Sequence, residues 1–197
     1  MSYLLQESIQ DFHVWKKILN HRLPLSFDIE ITARCNNNCR HCYINLPAND
    51  LHTIHEELTL DEINHIADQA VDLGAVWCLI TGGEPLLGKD FVDIYFSLKK
   101  KGLLVSLFTN ACLINEEHIA LFKEYPPRDI EVSVYGVSKE TYEKVTRRPG
   151  SFQAFNNGLN LLHNAGFKVG LKAMALKSNY HELQAIAKFC RDHSSKP

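Results

Sequence analysis

The sequence predicts an α/β fold in which parallel strands curl into a partial TIM-type barrel, and three observations predict it. Strand and helix signals alternate from Leu25 onward through five βα units, the pattern of a parallel sheet with right-handed crossovers. Gly74, Gly102, the Pro126-Pro127 pair and Gly166 stand where successive helices must stop. The 197 residues can bury one sizeable core but fall short of a closed eight-stranded barrel, which takes about 250 residues.

Residues 1 to 24 form a separate N-terminal extension. Leu4, Leu5, Ile9, Phe12, Trp15 and Leu19 recur at helical spacing, which predicts an amphipathic helix ending before Pro24. The barrel then occupies residues 25 to 197. Its first strand is Phe27 to Thr32. The stretch Leu46 to Glu57, with Pro47 and a run of polar residues, reads as an exposed connection. Thr59 with Glu62 forms a capping box for the first barrel helix, which carries Ile63, Ile66, Ala67, Ala70 and Val71 on one face. The second strand is Ala75 to Ile80, the second helix Phe91 to Lys101 and the third strand Leu103 to Phe108. Asn115 starts the third helix and the fourth strand is Ile130 to Tyr135. Ser151 is expected to cap the fourth helix, the fifth strand is Phe167 to Leu176, and the fifth helix runs from Tyr180 to Asp192.

Parallel strands buried on both faces read as continuous apolar runs. Here three strands alternate instead. The first sets Phe27, Ile29 and Ile31 against Asp28, Glu30 and Thr32. The fourth sets Ile130, Val132 and Val134 against Glu131, Ser133 and Tyr135, and the fifth sets Val169 and Leu171 against Lys168, Gly170 and Lys172. With the apolar faces packed on helices, the polar faces line a barrel interior open to water and ligand; internal ion pairs filling it are the alternative.

Formal charge of −2 gives no electrostatic case for nucleic acid or an anionic membrane surface. No apolar run reaches the length of a membrane span, and the N-terminus lacks the regions of a signal peptide. A soluble, cytoplasmic protein is expected. Six cysteines in a chain of this length suit reduced thiols rather than a disulfide framework. Cys78, Cys112 and Cys190 read as small buried apolar residues.

The remaining three fall in Cys35-Asn36-Asn37-Asn38-Cys39-Arg40-His41-Cys42, directly after the first strand. Three consecutive asparagines disfavour a helix and favour a turn, so a loop wrapping a metal centre is expected. Three thiolates on one short loop suit an iron–sulfur cluster or a zinc ion, and either takes a fourth ligand from elsewhere; for zinc, His41 or another histidine would serve. Gly82-Gly83-Glu84-Pro85 follows the second strand. Two residues without side chains let backbone carbonyls reach a ligand ammonium, with Pro85 holding the turn. Strand-barrel active sites lie at the C-terminal ends of the strands. The cysteine loop, the glycine pair and Thr109-Asn110 follow the first three strands, so all meet on that rim.

C-x-x-x-C-x-x-C followed by the aromatic Tyr43, and Gly82 to Pro85 after the next strand, resemble the radical S-adenosylmethionine (SAM) enzymes. The resemblance runs from about Ser26 to the end of the chain. Within it, Val132 to Gly136, Thr141 to Thr146 and Pro149 to Phe152 are similar to the peptide- and protein-maturing, SPASM-type branch. The family's barrel has six βα units, so five of an expected six are present.

The resemblance implies that Cys35, Cys39 and Cys42 hold three irons of a [4Fe-4S] cluster, whose fourth iron takes the amino and carboxylate groups of SAM. It further implies one-electron cleavage of SAM to methionine and a 5′-deoxyadenosyl radical that abstracts hydrogen from substrate. Gly82, Gly83, Glu84 and Pro85 would receive the SAM amino group. His41 would touch the adenine with Tyr43 beside it, and Ser133 the ribose or carboxylate. Thr109, Asn110 and Lys172 sit on the rim or strand positions that meet SAM or substrate. Many relatives place an arginine where Thr146 stands, leaving Arg147, Lys172 or Ser133 to meet the carboxylate here. The implied partners are a peptide, protein or small-molecule substrate and a flavodoxin- or ferredoxin-like electron donor. A non-catalytic zinc- or cluster-binding module is the alternative.

Overall fold

A computed structural model describes residues 23–44 and 46–194; the helix expected over residues 1 to 24 falls on residues outside that set. Strands β1 (Ser26–Glu30), β2 (Trp77–Thr81), β3 (Leu104–Thr109), β4 (Asp129–Val134) and β5 (Val169–Ala173) form one sheet in that spatial order, every neighbouring pair parallel. The five expected strands are the five observed, each shifted by one to three residues at its ends.

Register explains where the core sits. Ile29, Ile80, Leu107, Ile130 and Val169 stand opposite one another across all five strands, and all are buried. This apolar row packs against the helices α2 (Leu60–Asp72), α3 (Phe91–Lys100), α4 (Glu116–Glu124), α6 (Ser151–Asn164) and α7 (Leu183–His193), through Ile63, Leu98, Phe122, Leu162 and Ile186 among others. The opposite face carries Asp28, Ser106, Glu131, Ser133 and Lys172, none fully buried. The expected polar interior is therefore present in β1, β4 and β5, whereas β2 and β3 add Trp77, Leu79 and Phe108. The ion-pair alternative is also realised: Lys172 pairs with Glu131 and lies 4.0 Å above the Phe108 ring, and Arg128 pairs with Asp129 at 3.5 Å.

Two expectations need correction. The stretch 46 to 57 contains a short helix, α1 (Leu51–Glu56), because Asp50 accepts from the Thr53 amide at 2.8 Å and caps it. Ser151 does not cap α6; Gly150 does, with φ +82°, and Ser151 is the first helical residue, its hydroxyl 2.7 Å from Thr146 Oγ1. A second unanticipated helix is α5 (Lys139–Thr146), capped by Ser138. Its polar sequence hides four buried residues, Thr141, Tyr142, Val145 and Thr146. The Thr59–Glu62 capping box forms as expected.

Candidate functional site

The site lies at the C-terminal ends of β1 to β4. There Cys35, Cys39 and Cys42 share one cavity of about 170 Å³ with Gly82, Gly83, Thr109, Asn110, Ser133 and His41. Nine of the thirteen residues expected at the site are thus brought to one wall-lined space.

The loop is held from outside itself. Arg34, just before Cys35, is buried; its guanidinium bonds both Glu57 carboxylate oxygens, at 2.7 and 3.1 Å, and the Ala48 carbonyl at 2.7 Å. Thr32 adds a hydroxyl to the same carboxylate. A bidentate, fully partnered pair of this kind fixes geometry. Further along, the Asn38 amide donates to Thr146 O at 2.9 Å and the Arg40 amide to Val145 O at 3.1 Å. The cysteine loop is therefore docked on the C-terminal end of α5.

The glycine pair is required by close approach. A Cβ on Gly82 would stand 2.3 Å from Thr32 O, and one on Gly83 2.3 Å from Arg34 O; Gly82 also has φ +138°. The Gly83 and Glu84 amides donate to Thr32 O and Arg34 O, both at 2.8 Å. The turn after β2 is thus joined by backbone bonds to the start of the cysteine loop.

Glu84 and Pro85 are buried behind the cavity rather than in its wall. The Glu84 carboxylate accepts from Thr109 Oγ1 and the Asn110 amide, both at 2.7 Å, and from the Leu86 amide at 3.2 Å. Burial nevertheless pushes its carboxyl up to about 7, against these three donors. It holds the turns after β2 and β3 together. Tyr43 is 87% exposed and its hydroxyl donates to Glu30 at 2.8 Å, outside the cavity. Lys172 stands beside Ser133 in register, but its ammonium is turned to Glu131 and Phe108. Thr146, where relatives carry arginine, is buried and bonds Tyr142 O and Ser151.

The donor set fits a metal cluster. Burial pushes the Cys35 thiol up to about 11 and the Cys39 thiol up to about 12, so a cationic centre is what these sulfurs need to act as thiolate ligands. Cys35, Cys39 and Cys42 all line the one cavity, and thiolates are the ligands that an iron–sulfur cluster takes from a protein. The Asn37 amide donates to Cys35 Sγ at 3.3 Å, and Asn110 Nδ2 lies 3.8 Å from the same sulfur. Among the described residues, His41 Nδ1 and Asn37 Oδ1 are buried without a hydrogen-bond partner. Burial lowers the His41 pKa, so its ring is a neutral group beside the cavity.

Tyr135, Asn37, Phe108 and Thr81 also line this space and were not singled out from the sequence. The period-2 pattern had already put Tyr135 on the inner face with Ser133; its ring packs 5.1 Å from His41. Cys112, expected to be an inert core residue, is half-buried against the loop, 4.0 Å from Asn37 Nδ2.

Known proteins were compared against this arrangement. The chain is 32% identical over 177 residues to the Fe-coproporphyrin III synthase of Methanosarcina barkeri, covering 87% of this chain and 43% of that protein. It is 30% identical over 175 residues to the antilisterial bacteriocin subtilosin biosynthesis protein AlbA of Bacillus subtilis, covering 88% and 38%. The crystal structure of Streptococcus suis SuiB bound to precursor peptide SuiA superposes with a TM-score of 0.72 at 18% identity, over 90% of this chain and 40% of that one. The chain spans about two fifths of the length of these relatives. The radical SAM superfamily matches residues 29–190, the span that holds the end of β1, the cysteine loop, the glycine turn and strands β2 to β5, and the chain belongs to that family.

Proposed function

We propose that this chain is the catalytic barrel of a radical SAM enzyme that acts on a peptide or protein. The observation that carries the reading is the convergence of Cys35, Cys39 and Cys42 with Gly82, Gly83 and Ser133 on one cavity. When bound, a [4Fe-4S] cluster supplies the electron that cleaves SAM to methionine and a 5′-deoxyadenosyl radical, chemistry that belongs to the cofactor.

The chain's own residues position that chemistry. Cys35, Cys39 and Cys42 hold the cluster, the Asn37 amide steadies Cys35, and the glycine turn leaves room for the methionyl end of SAM. His41, neutral and packed on Tyr135, offers a flat face for the adenine, and Ser133 a hydroxyl for the ribose or carboxylate. Thr109, Asn110 and Glu84 fix the wall behind them. Lys172, held by Glu131, stands beside Ser133 on the inner face, where a substrate could meet it.

The peptide reading is supported by the likeness to AlbA and SuiB. A small-molecule substrate is the second reading, and the match to an Fe-coproporphyrin III synthase favours it. Anaerobic reconstitution with iron and sulfide, followed by dithionite and SAM, is expected to yield 5′-deoxyadenosine that vanishes in Cys35→Ala. Zinc without iron in the reconstituted protein would overturn the assignment. Faster deoxyadenosine release with a porphyrin than with any peptide would select the second reading.

A further inference from the structure

The cysteine loop is anchored differently at its start and in its middle. At the start, Arg34 is clamped by Glu57 beside Cys35, and Asn110 Nδ2 bonds Asn36 Oδ1 at 2.7 Å. In the middle, the Asn38 and Arg40 amides, one on either side of Cys39, donate to the Thr146 and Val145 carbonyls of α5. Arg40 Nε adds a bond to Lys144 O at 3.3 Å. The position of Cys39 is therefore tied to that of α5. A helix of eight residues is too short to persist by itself in water, so whatever holds α5 also holds Cys39.

The first turn of α5 is gripped by Glu182, which follows β5 and stands at the start of α7. Its carboxylate accepts from the Val137 amide at 2.8 Å, the Ser138 amide at 3.3 Å, Thr141 Oγ1 at 2.6 Å and the Ser138 hydroxyl. A negative group there also meets the positive end of the helix dipole. Glu182 is itself held in place. Its amide donates to Asn179 O at 2.9 Å, and the wholly buried Asn179 donates to Tyr135 O and Met174 O, both at 3.0 Å, and accepts from the Leu176 amide at 2.8 Å. On its other side α5 has no slack, since a Cβ on Gly136 would stand 2.9 Å from the Tyr142 nitrogen. Tyr142 in turn packs 5.8 Å from Tyr135, the ring that backs His41.

We infer that Glu182 is a positioning residue for the radical chemistry: it fixes the start of α5, and through α5 it sets Cys39 and His41 toward the cavity. The inference deepens the proposed function and rests on it for Cys39 as a cluster ligand. Groups that orient a metal's ligands without touching the metal govern how well it is held. Here the orienting group follows the last strand of the sheet, whereas the ligand follows the first. The anchors also act on different thiols, Arg34 on Cys35 and Glu182 on Cys39, so loss of Glu182 should free one thiol and leave the other in place.

The test compares Glu182→Ala with the parent and with Gly102→Ala, a destabilising change in open space that touches neither anchor. In the chain before reconstitution, alkylation of each cysteine by N-ethylmaleimide is followed by mass spectrometry. Glu182→Ala is expected to speed reaction at Cys39 at least about fivefold, while Cys35 keeps its parental rate. After anaerobic reconstitution the same variant is expected to hold its cluster at least about tenfold more weakly against an iron chelator. It is also expected to need more SAM to complete the change in the electron paramagnetic resonance spectrum of the reduced cluster. Gly102→Ala is expected to leave all three readings parental, which separates positioning from lost stability. Thr141→Val removes one donor to Glu182 and keeps the side chain's shape; it is expected to give the same selective rise at Cys39, smaller in size, and serves if Glu182→Ala does not fold. Cys39 unchanged in both variants, Cys35 rising equally, or an equal rise in Gly102→Ala overturns the inference and leaves the proposed function standing. Parental protein that takes up no [4Fe-4S] cluster overturns the proposed function, and the role of Glu182 with it.

Discussion

The two ends of the barrel both depend on glycine, for opposite reasons. At the lower end, where helices turn back into strands, Gly74, Gly102 and Gly166 have φ of +103°, +81° and +83°. Each closes the same motif: the Gly74 amide donates to Val71 O and the next amide to Ala70 O, and Gly102 and Gly166 repeat the pattern. Around Gly102 and Gly166 there is open space, so what these positions need is a backbone conformation. At the upper end Gly83 has no positive φ, yet a Cβ there would collide with the Arg34 backbone. What that position needs is the absence of an atom. The lower turns are generic punctuation, and the upper one is a joint between two chain segments that build a site.

The comparison can be broken by substitution. The largest effect is expected at the site itself: Cys39→Ala abolishes [4Fe-4S] assembly, read as iron, sulfide and visible absorption, while far-UV circular dichroism stays native. A full cluster in this variant would remove Cys39 from the ligand set. Gly83→Ala comes next, expected to cost about 1–3 kcal/mol by overpacking in denaturant titration and also to lower cluster loading, because Arg34 and Cys35 must move. Glu84→Ala leaves three donors unpaired in a buried place and is expected to cost about 1–3 kcal/mol.

Glu84 also gives a pH dependence. Its carboxyl is raised from about 4.5 to about 7 in the folded protein. Its stabilising contribution is therefore complete below about 4.5 and lost as pH rises through about 7. Glu84→Gln should flatten the stability profile across that window, and an unchanged slope would mean that another group sets it. Smallest is Gly102→Ala, expected to cost about 1 kcal/mol with loading unchanged, and Gly102→Asn less. Equal losses of cluster at Gly83 and Gly102 would erase the distinction between the two ends.

Much of this was legible in the sequence because the signals were local. Alternation in β1, β4 and β5 gave the two faces of the sheet, and the Schellman glycines gave the strand starts. The cysteine loop and the Gly82-Gly83 turn fell where strand order placed them. What was hidden depends on contacts between distant segments. Helix α5 is polar along its sequence, and only the packing of Tyr142 on Phe155, with ring centroids 4.9 Å apart, reveals why it stays put. Glu84 sits within a recognisable motif, but its three donors come from Leu86, Thr109 and Asn110, two of them on the next strand's turn. Tyr43 adjoins the cysteines in sequence and still points away, because a one-residue step in a loop carries no fixed side.

The bonds from Asn38 to Thr146 and from Arg40 to Val145 have a consequence for how the protein is made. A ribosome delivers the three cysteines more than a hundred residues before the helix end that fixes their loop. At about 5–20 residues per second, the thiols spend several seconds on a nascent chain that cannot yet shape them. Iron and sulfide delivered in that interval would meet an unformed nest, so the order of events that suits this architecture is release of the barrel first and metallation afterwards.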